Sequence, residues 1–482
     1  MTLEKQIKFL ENELNMKNFA SIDNVLDISK SMHKYRKVTR DQLRQALNSP
    51  YEYSEILQDV SKALKVTGGT YTRILNLVSY MHTFDHYISP NDTTRFSTSE
   101  KINKSFINAA TELEKYNIKS IAPWILEQVL ENGELYLYKV EDSSSIMFQK
   151  FPPQFCTITS RREGILRFGI NLKKITQKNV VAFPKEVQLI YKKYSDKKIQ
   201  DADLIDKKYY ELSDKAVAFN STLDATKGIP VFCFLFDDLM ELQDVKDLKS
   251  NSNIVENIKL IHQKVPFGKD GDPLIALDLL NAYHAILKSH LPPNTNIHTS
   301  PLDIETYTLS DGTSKIKDYV KDATDAIYDG AGTNRALFNA DKINTESVAS
   351  GIVADSLITS MIISQFTEWI NYEMKINKKM NQWKIYFIGT THFNKYKVSK
   401  QLREDMAFGG SRFAFQASTE KTPLQTINTL RAEQLIGIDN LMVPQATSYT
   451  QSSNSKGRPT VEENGGQEDG NGNTGDRGDQ NG

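Results

Sequence analysis

Residues 334–376 read NRALFNADKINTESVASGIVADSLITSMIISQFTEWINYEMKI and decide how the rest of the chain is interpreted. The first part is polar and loop-like, with Gly330 and Gly332 just before it. The second part is the longest apolar-periodic segment in the sequence. Val348, Ile352, Leu357, Met361, Ile362, Phe366, Trp369 and Ile370 recur at helical spacing. Asp355 is the only charged residue between Glu346 and Glu368. Small residues crowd the first half (Ser347, Ala349, Ser350, Gly351, Ala354 and Ser356), whereas the second half is bulky. Such a helix can approach another backbone closely at one end and fill a core at the other. The spacing predicts one long helix over 346–376.

Working outward, the 482 residues carry 59 basic and 60 acidic side chains. A chain of that length can bury a sizeable core divided among a few domains. Near-zero net charge argues against a broad basic face that grips nucleic acid. Cys156 and Cys233 are far apart and have no ligand or redox spacing, so both read as buried apolar residues in a reducing compartment. The opening MTLEKQIKFLENELNMKN is charged throughout and does not read as a signal peptide. The long apolar segment holds too many polar groups to span a membrane. A soluble protein made in the cytoplasm is expected.

In chain order, helical patterns cover residues 1–47, with Thr39 and Asp41 opening a short helix before Ser49-Pro50. Residues 53–88 are again helical, broken at Gly68-Gly69, and 102–130 make one long helical stretch. Asn132-Gly133 turns the chain into β-structure. Residues 134–220 form a mostly antiparallel sheet unit, in which VQLIYKKY and YYELSD are counted as strands. VFCFLF, after Gly228-Ile229-Pro230, reads as a short buried strand. An acidic helix follows from Asp237 to Lys264, with Leu239, Leu242, Val245 and Leu248 on one stripe. A loop, a short helix ended by Pro292-Pro293 and an extended segment precede a further helix that stops at Gly330. Beyond Lys379, QWKIYFIG and HFNKYKVS read as strands. Thr422 and Pro423 cap an amphipathic helix pair. From Gln451 the composition is polar, and disorder is expected.

The chain lacks a Walker loop, an HExxH motif, Cys/His zinc spacing and a G-x-S-x-G elbow. His82 and His86 are four apart but lack further ligands. His284, His290 and His298 are split by the proline pair. The acidic residues form helix faces, with none isolated as a pair for general acid/base work. No catalytic residue, metal site or cofactor is expected, and the protein is read as non-enzymatic.

The order of parts, together with GIPVFCFLFDDLMELQDVKDL, KIKDYVKDATDAIYDGAG, SVASGIVADSLITSMIISQFTEWINYEM and QLIGIDNLMVPQATSYTQSSNSKGRP, resembles the portal proteins of tailed bacteriophages, particularly those of Gram-positive hosts. The resemblance spans nearly the whole chain through diffuse patterns. It implies an α+β, mainly helical fold with wing, stem, clip and crown parts, assembled as a ring, usually of twelve identical subunits. The ring would sit at one capsid vertex of the virion and pass double-stranded DNA during packaging and ejection. Carried onto this sequence, residues 1–235 would be the wing with its β-rich insertion at 134–220, and 236–264 the first stem helix. Residues 265–310 would be the clip, 311–329 the second stem helix, and 330–376 the tunnel loop and long helix. Residues 377–420 would return to the wing, 421–450 would build the crown, and 451–482 would be a polar tail.

The implied partners are other copies of the chain, the terminase large subunit, a head-to-tail adaptor, and the major capsid and scaffolding proteins, with no membrane. Asn334, Arg335, Asn339 and Lys342 become candidate DNA contacts. Asp237, Asp238, Glu241 and Asp244 become a candidate channel-facing stripe. Ser347, Ser350, Gly351 and Ala354 become candidate subunit contacts. Near-neutral charge suits a channel that must let DNA slide, because each phosphate neutralised by the protein tightens the complex. The alternative is another virion structural or head-assembly protein that forms no DNA channel.

Overall fold

The computed structural model describes residues 38–96, 98–141, 145–177, 179–256, 259–264, 274–290, 295–300, 313–332 and 356–438. It divides into one unit through Thr426 and a second from Ile427 onward, of which only the end of one helix is described. The fold is mixed α/β with helices predominating. The first helical patterns, the segment 334–355 and the polar tail lie outside the described residues.

Helices α1 (Arg40–Asn48), α2 (Ser54–Thr67) and α3 (Gly69–Tyr80) open the described chain. Thr39 caps α1 through a reciprocal pair with Gln42, as its spacing predicts. The helical reading of 53–88 overshoots. The helix stops at Tyr80, Phe84 adopts φ 52°, and β1 (His86–Pro90) follows. The backbone there is claimed by a distant segment, since Thr83 N donates to Thr390 O at 3.0 Å and His392 N to Met81 O at 2.9 Å. The long stretch 102–130 is two helices, α4 (Ser99–Glu114) and α5 (Ile118–Asn132), separated where Asn117 takes a left-handed φ of 45°.

The antiparallel sheet is present. Strands β2 (Glu134–Glu141), β3 (Ile146–Phe151), β4 (Cys156–Arg162), β5 (Ile165–Asn171), β6 (Tyr209–Glu211) and β7 (Ala216–Asn220) pair in the order β3-β2-β7-β5-β4, with β6 on β5. VQLIYKKY, however, lies in helix α6 (Lys185–Ser195). Val187 and Ile190 are buried, Tyr191 and Tyr194 pack beside them, and Leu189 is 61% exposed, a helical and not an alternating pattern. The sheet's core joins Tyr136, Phe151, Phe168 and Ile170 to Phe183 and Val187. Gly133, at φ 81°, makes the turn into β2, and any Cβ there would lie 2.2 Å from Ile229 backbone atoms, so only glycine fits.

VFCFLF is not a strand. Phe232, Leu235 and Phe236 are buried while Phe234 is 54% exposed, and the chain runs through a single 3-10 turn into α7 (Phe236–Glu256). That helix ends eight residues before Lys264. The remaining KLIHQK forms β8 (Lys259–Lys264), paired in parallel with β9 (Thr295–Ser300) across helix α8 (Leu277–His290). Helix α9 (Thr313–Gly330) then packs on α7.

Of the long helix, the described part is α10 (Ser360–Ile376), preceded by a turn at Ile358 and Thr359, so it is not continuous from 346. Thr359 is fully buried there. Its hydroxyl donates to Ser356 O at 3.1 Å and lies 2.9 Å from His82 Nε2. Strand β10 (Trp383–Phe387) pairs antiparallel with β1. HFNKYKVS is helical, because Thr391 and Asn394 cap each other at 2.7 and 3.1 Å and start α11 (Lys395–Ala407). Helices α12 (Arg412–Ser418) and α13 (Pro423–Ile436) complete the order, and Thr422 Oγ1 accepts from Gln425 N at 3.3 Å.

The bulky half of α10 fills the core as expected: Phe366 and Trp369 are 1% and 2% exposed. Trp369 stacks edge-on against Phe148 and Phe219 of the sheet, with ring centroids at 5.3 and 5.6 Å. One turn on, the buried carboxylate of Glu373 pairs with Lys139 of β2 and accepts from Tyr116 OH at 2.9 Å. Burial pushes the Lys139 ammonium down, but Glu373 outweighs it and the net direction is up. Removing the carboxylate with Glu373→Ala strands a buried ammonium. The expected loss in urea unfolding is at the lower end of about 3–5 kcal/mol, because Glu141 remains 3.2 Å from Lys139. Adding Lys139→Met should restore much of it.

Candidate functional site

The feature that departs most from an ordinary body is the excursion from Phe236 to Gly330. Helix α7 leaves beside the α2–α3–α5 core, where Phe236 packs edge-on to Tyr71 at 5.7 Å. The β8-α8-β9 segment follows, and α9 brings the chain back. A Cβ at Gly330 would lie 3.1 Å from Leu235 Cδ2, so the end of α9 meets the start of α7 and the pair runs antiparallel. Leu239 and Leu242 on α7 and Ile327 and Tyr328 on α9 are buried, so the predicted leucine stripe begins as the helix's inner face.

The acidic residues take the outer face. Asp237, Glu241 and Asp244 fall at i, i+4 and i+7, one side of the helix. Arg40 of α1 reaches all three, with Nε 2.8 Å from Asp237 Oδ1, Nη2 2.9 Å from Glu241 Oε2 and Nη1 3.8 Å from Asp244 Oδ2. Arg44, one turn along, lies 3.1 Å from Asp237 Oδ2. Burial pushes Asp237 up, but hydrogen bonds from Arg40 and Arg44 outweigh it and hold its carboxyl below the usual aspartate range. Asp238, the next residue along, is exposed. Partial burial, then the charges of Asp237 and Glu241, raise its carboxyl.

The structure therefore brings together three of the four proposed channel-facing acids and adds two arginines that the sequence did not link to them. Arg40 and Arg44 are separated from their partners by about 200 positions, and only their shared four-residue spacing with Asp237 and Glu241 hinted at a match. Asn334, Arg335, Asn339 and Lys342, and likewise Ser347, Ser350, Gly351 and Ala354, lie outside the described residues. His82 and His86 do not share a helix face. His86 Nδ1 lies 2.9 Å from Phe84 O, and burial lowers its pKa to about 4, leaving the ring neutral at pH 7.

A cavity of about 200 Å³ is lined by His86, Glu114, Lys119, Glu420 and Thr422 among others. Its polar groups are turned to one another: Lys119 Nζ donates to Asp85 at 2.6 Å and Glu420 O at 2.7 Å, and Thr422 Oγ1 donates to Glu114. That arrangement ties α5 to the start of α13 and presents no nucleophile–base pair. Among the described residues no cluster of His, Cys, Asp and Glu could hold a metal, and no helix is long and apolar enough to cross a membrane. Cys156 and Cys233 are both buried and unpaired.

Arg40→Ala is expected to cost about 1 kcal/mol, the scale of partly exposed networks, and less at high salt. Because Asp237 is depressed in the fold, its contribution is present above the ordinary aspartate value of 3.8 and vanishes as pH falls through the lower folded value. Chemical denaturation from neutral to strongly acid pH should show the wild-type advantage over Arg40→Ala shrinking in that acid window.

No protein-family model matches the chain, and no curated protein matches it. Solved structures similar to it come from gene transfer agent particles. One, from the virion of the native particle, is 11% identical with a TM-score of 0.37 and covers 73% of this chain and 90% of its own. One from the neck of the empty particle, computed with C6 symmetry, is 11% identical with a TM-score of 0.37, covering 72% and 89%. One from the neck of the native particle, computed with C12 symmetry, is 11% identical with a TM-score of 0.38, covering 73% and 90%. These neighbours are parts of virion-like particles, and a likeness this loose carries no argument about the chain's function.

Proposed function

We propose that this chain is the portal subunit of a phage-type particle, a ring-forming virion component through which DNA is packaged and ejected. The observation that supports it is the path of the chain from Phe236 to Gly330. Two antiparallel helices leave and rejoin the body at one place and carry a β-α-β segment between them. In this reading α7 and α9 are the stem, and residues 265–310 the clip that would meet the terminase large subunit and then the adaptor. Residues 330–376 would be the tunnel loop and the long helix behind it. Arg335 and Lys342, with Asn334 and Asn339, are the proposed backbone contacts to DNA. Ser347, Ser350, Gly351 and Ala354 are the proposed contacts between subunits. The near-neutral charge supports passage without tight grip. No catalytic role is proposed.

A head-assembly protein without a channel is the second reading. It is favoured by Arg40, which engages Asp237, Glu241 and Asp244 within one chain instead of leaving them bare for a channel wall.

Negative-stain images of the purified protein are expected to show rings with a central hole. Persistent monomers at high protein concentration sink the portal reading and leave the second. With rings in hand, Arg335→Ala combined with Lys342→Ala should leave assembly intact and impair packaging or retention of DNA. Normal packaging removes those two residues from the proposal. Gly351→Leu should hinder ring formation by overfilling a close helix contact.

A further inference from the structure

We propose that the outward face of α6 is a docking surface for an acidic, amphipathic segment of another protein. The helix has two sharply different sides. Val187, Ile190, Tyr191 and Tyr194 turn toward the sheet. Glu186, the only acid within the helix, is also drawn inward, where its carboxylate accepts from Tyr138 OH at 2.6 Å, Ser213 N at 2.8 Å and Ser213 Oγ at 2.6 Å. Lys185, Leu189 and Lys192 occupy the opposite side with Lys193 at its flank, all exposed. Lys197 and Lys198 extend the basic field past the helix end, where Asp196 is exposed beside them and Asp201 is held by Lys173 and by Tyr194 OH. Among the described residues none of these five lysines pairs with a carboxylate.

Lysines in a last helical turn also complement the carbonyl end of the helix dipole. That accounts for Lys192 and Lys193 but not for Lys185 at the other end, nor for the apolar groups in the same field. Leu189 is 61% exposed, and Val181 is 75% exposed on the turn that Gln188 Nε2 holds against the helix through Val181 O, at 3.3 Å. A partner presenting carboxylates around one or two aliphatic side chains satisfies both features at once, charge to the lysines and apolar surface to Leu189 and Val181. Nucleic acid fits less well, since the tyrosines of α6 are packed inward and offer no stacking face, and phosphate has no use for exposed Leu and Val. The surface lies on the sheet unit, so this inference stands apart from whether the chain forms a channel.

The test uses the full-length protein and a fluorescent synthetic peptide of glutamates with leucines at helical i, i+3, i+4 spacing, followed by anisotropy. Saturable binding that weakens as salt rises is expected. Lys185→Glu with Lys192→Glu and Lys193→Glu should weaken it roughly tenfold or more, and Leu189→Ala should weaken it without changing its salt dependence. All four positions are exposed, so the variants should stay folded, the triple variant melting slightly lower because it places acids at the carbonyl end of the helix dipole. A peptide with serine in place of leucine should bind less well. No saturable binding, or equal binding by the triple variant, overturns the proposal. So does a result in which duplex DNA or anionic phosphatidylglycerol vesicles bind this face and the peptide does not.

Discussion

Three successive turns of α10 fix where the second half of the chain sits on the first. Gln365 receives Asn220 N at 3.0 Å and donates to Asn220 O at 2.7 Å, so its amide caps the end of β7, the central strand of the sheet. Trp369 presses on Phe148 and Phe219. Glu373, 2% exposed, takes Lys139 and Tyr116. The apolar contact at Trp369 supplies most of the free energy. The polar contacts on either side set the register, because a helix shifted by one residue would leave a buried ammonium, a carboxylate and the end of β7 without partners. Everything between β7 and α10, including the whole excursion of α7, α8 and α9, is held between two ends that this helix pins to one sheet.

That pinning was legible in part. The spacing of Phe366, Trp369 and Ile370 announced a buried helix face, and both aromatics are buried. The alternation in ELYLYKV and ILRFGINL announced the sheet, and β2 and β5 flank its central strand β7. The misreadings share a cause. In VQLIYKKY, VFCFLF and HFNKYKVS the apolar residues satisfy both a period of two and a period near 3.6 over so few positions. What decided each was a contact far away in sequence: the sheet face that takes Val187 and Ile190, the helical core that takes Phe232, Leu235 and Phe236, and the reciprocal Thr391–Asn394 cap. At the candidate site the acidic face of α7 was visible as a pattern. Its arginine partners were not, since nothing local in RDQLRQALN says which distant carboxylates it will meet.

The clasp from Arg40 and Arg44 changes what the acidic face can do. Five acids in the first half of α7, unopposed, would repel one another and any polyanion nearby. With Arg40 between Asp237, Glu241 and Asp244, the base of the helix is close to locally neutral, and the self-repulsion is relieved where α7 enters the core. Asp238 and Asp247 keep exposed carboxylates further round and along the helix.

The overall charge of −1 conceals this arrangement. Acidic α7 and basic α6 belong to the same unit, and their sum cancels in any field felt from afar. Screening at physiological salt confines each to roughly 8–10 Å, so a partner meets one face or the other and not their total. Near-neutrality therefore does not describe a protein indifferent to charge. It describes one that carries a basic helix face and an acidic one on the same unit, while the molecule as a whole attracts neither polyanion nor polycation over long range.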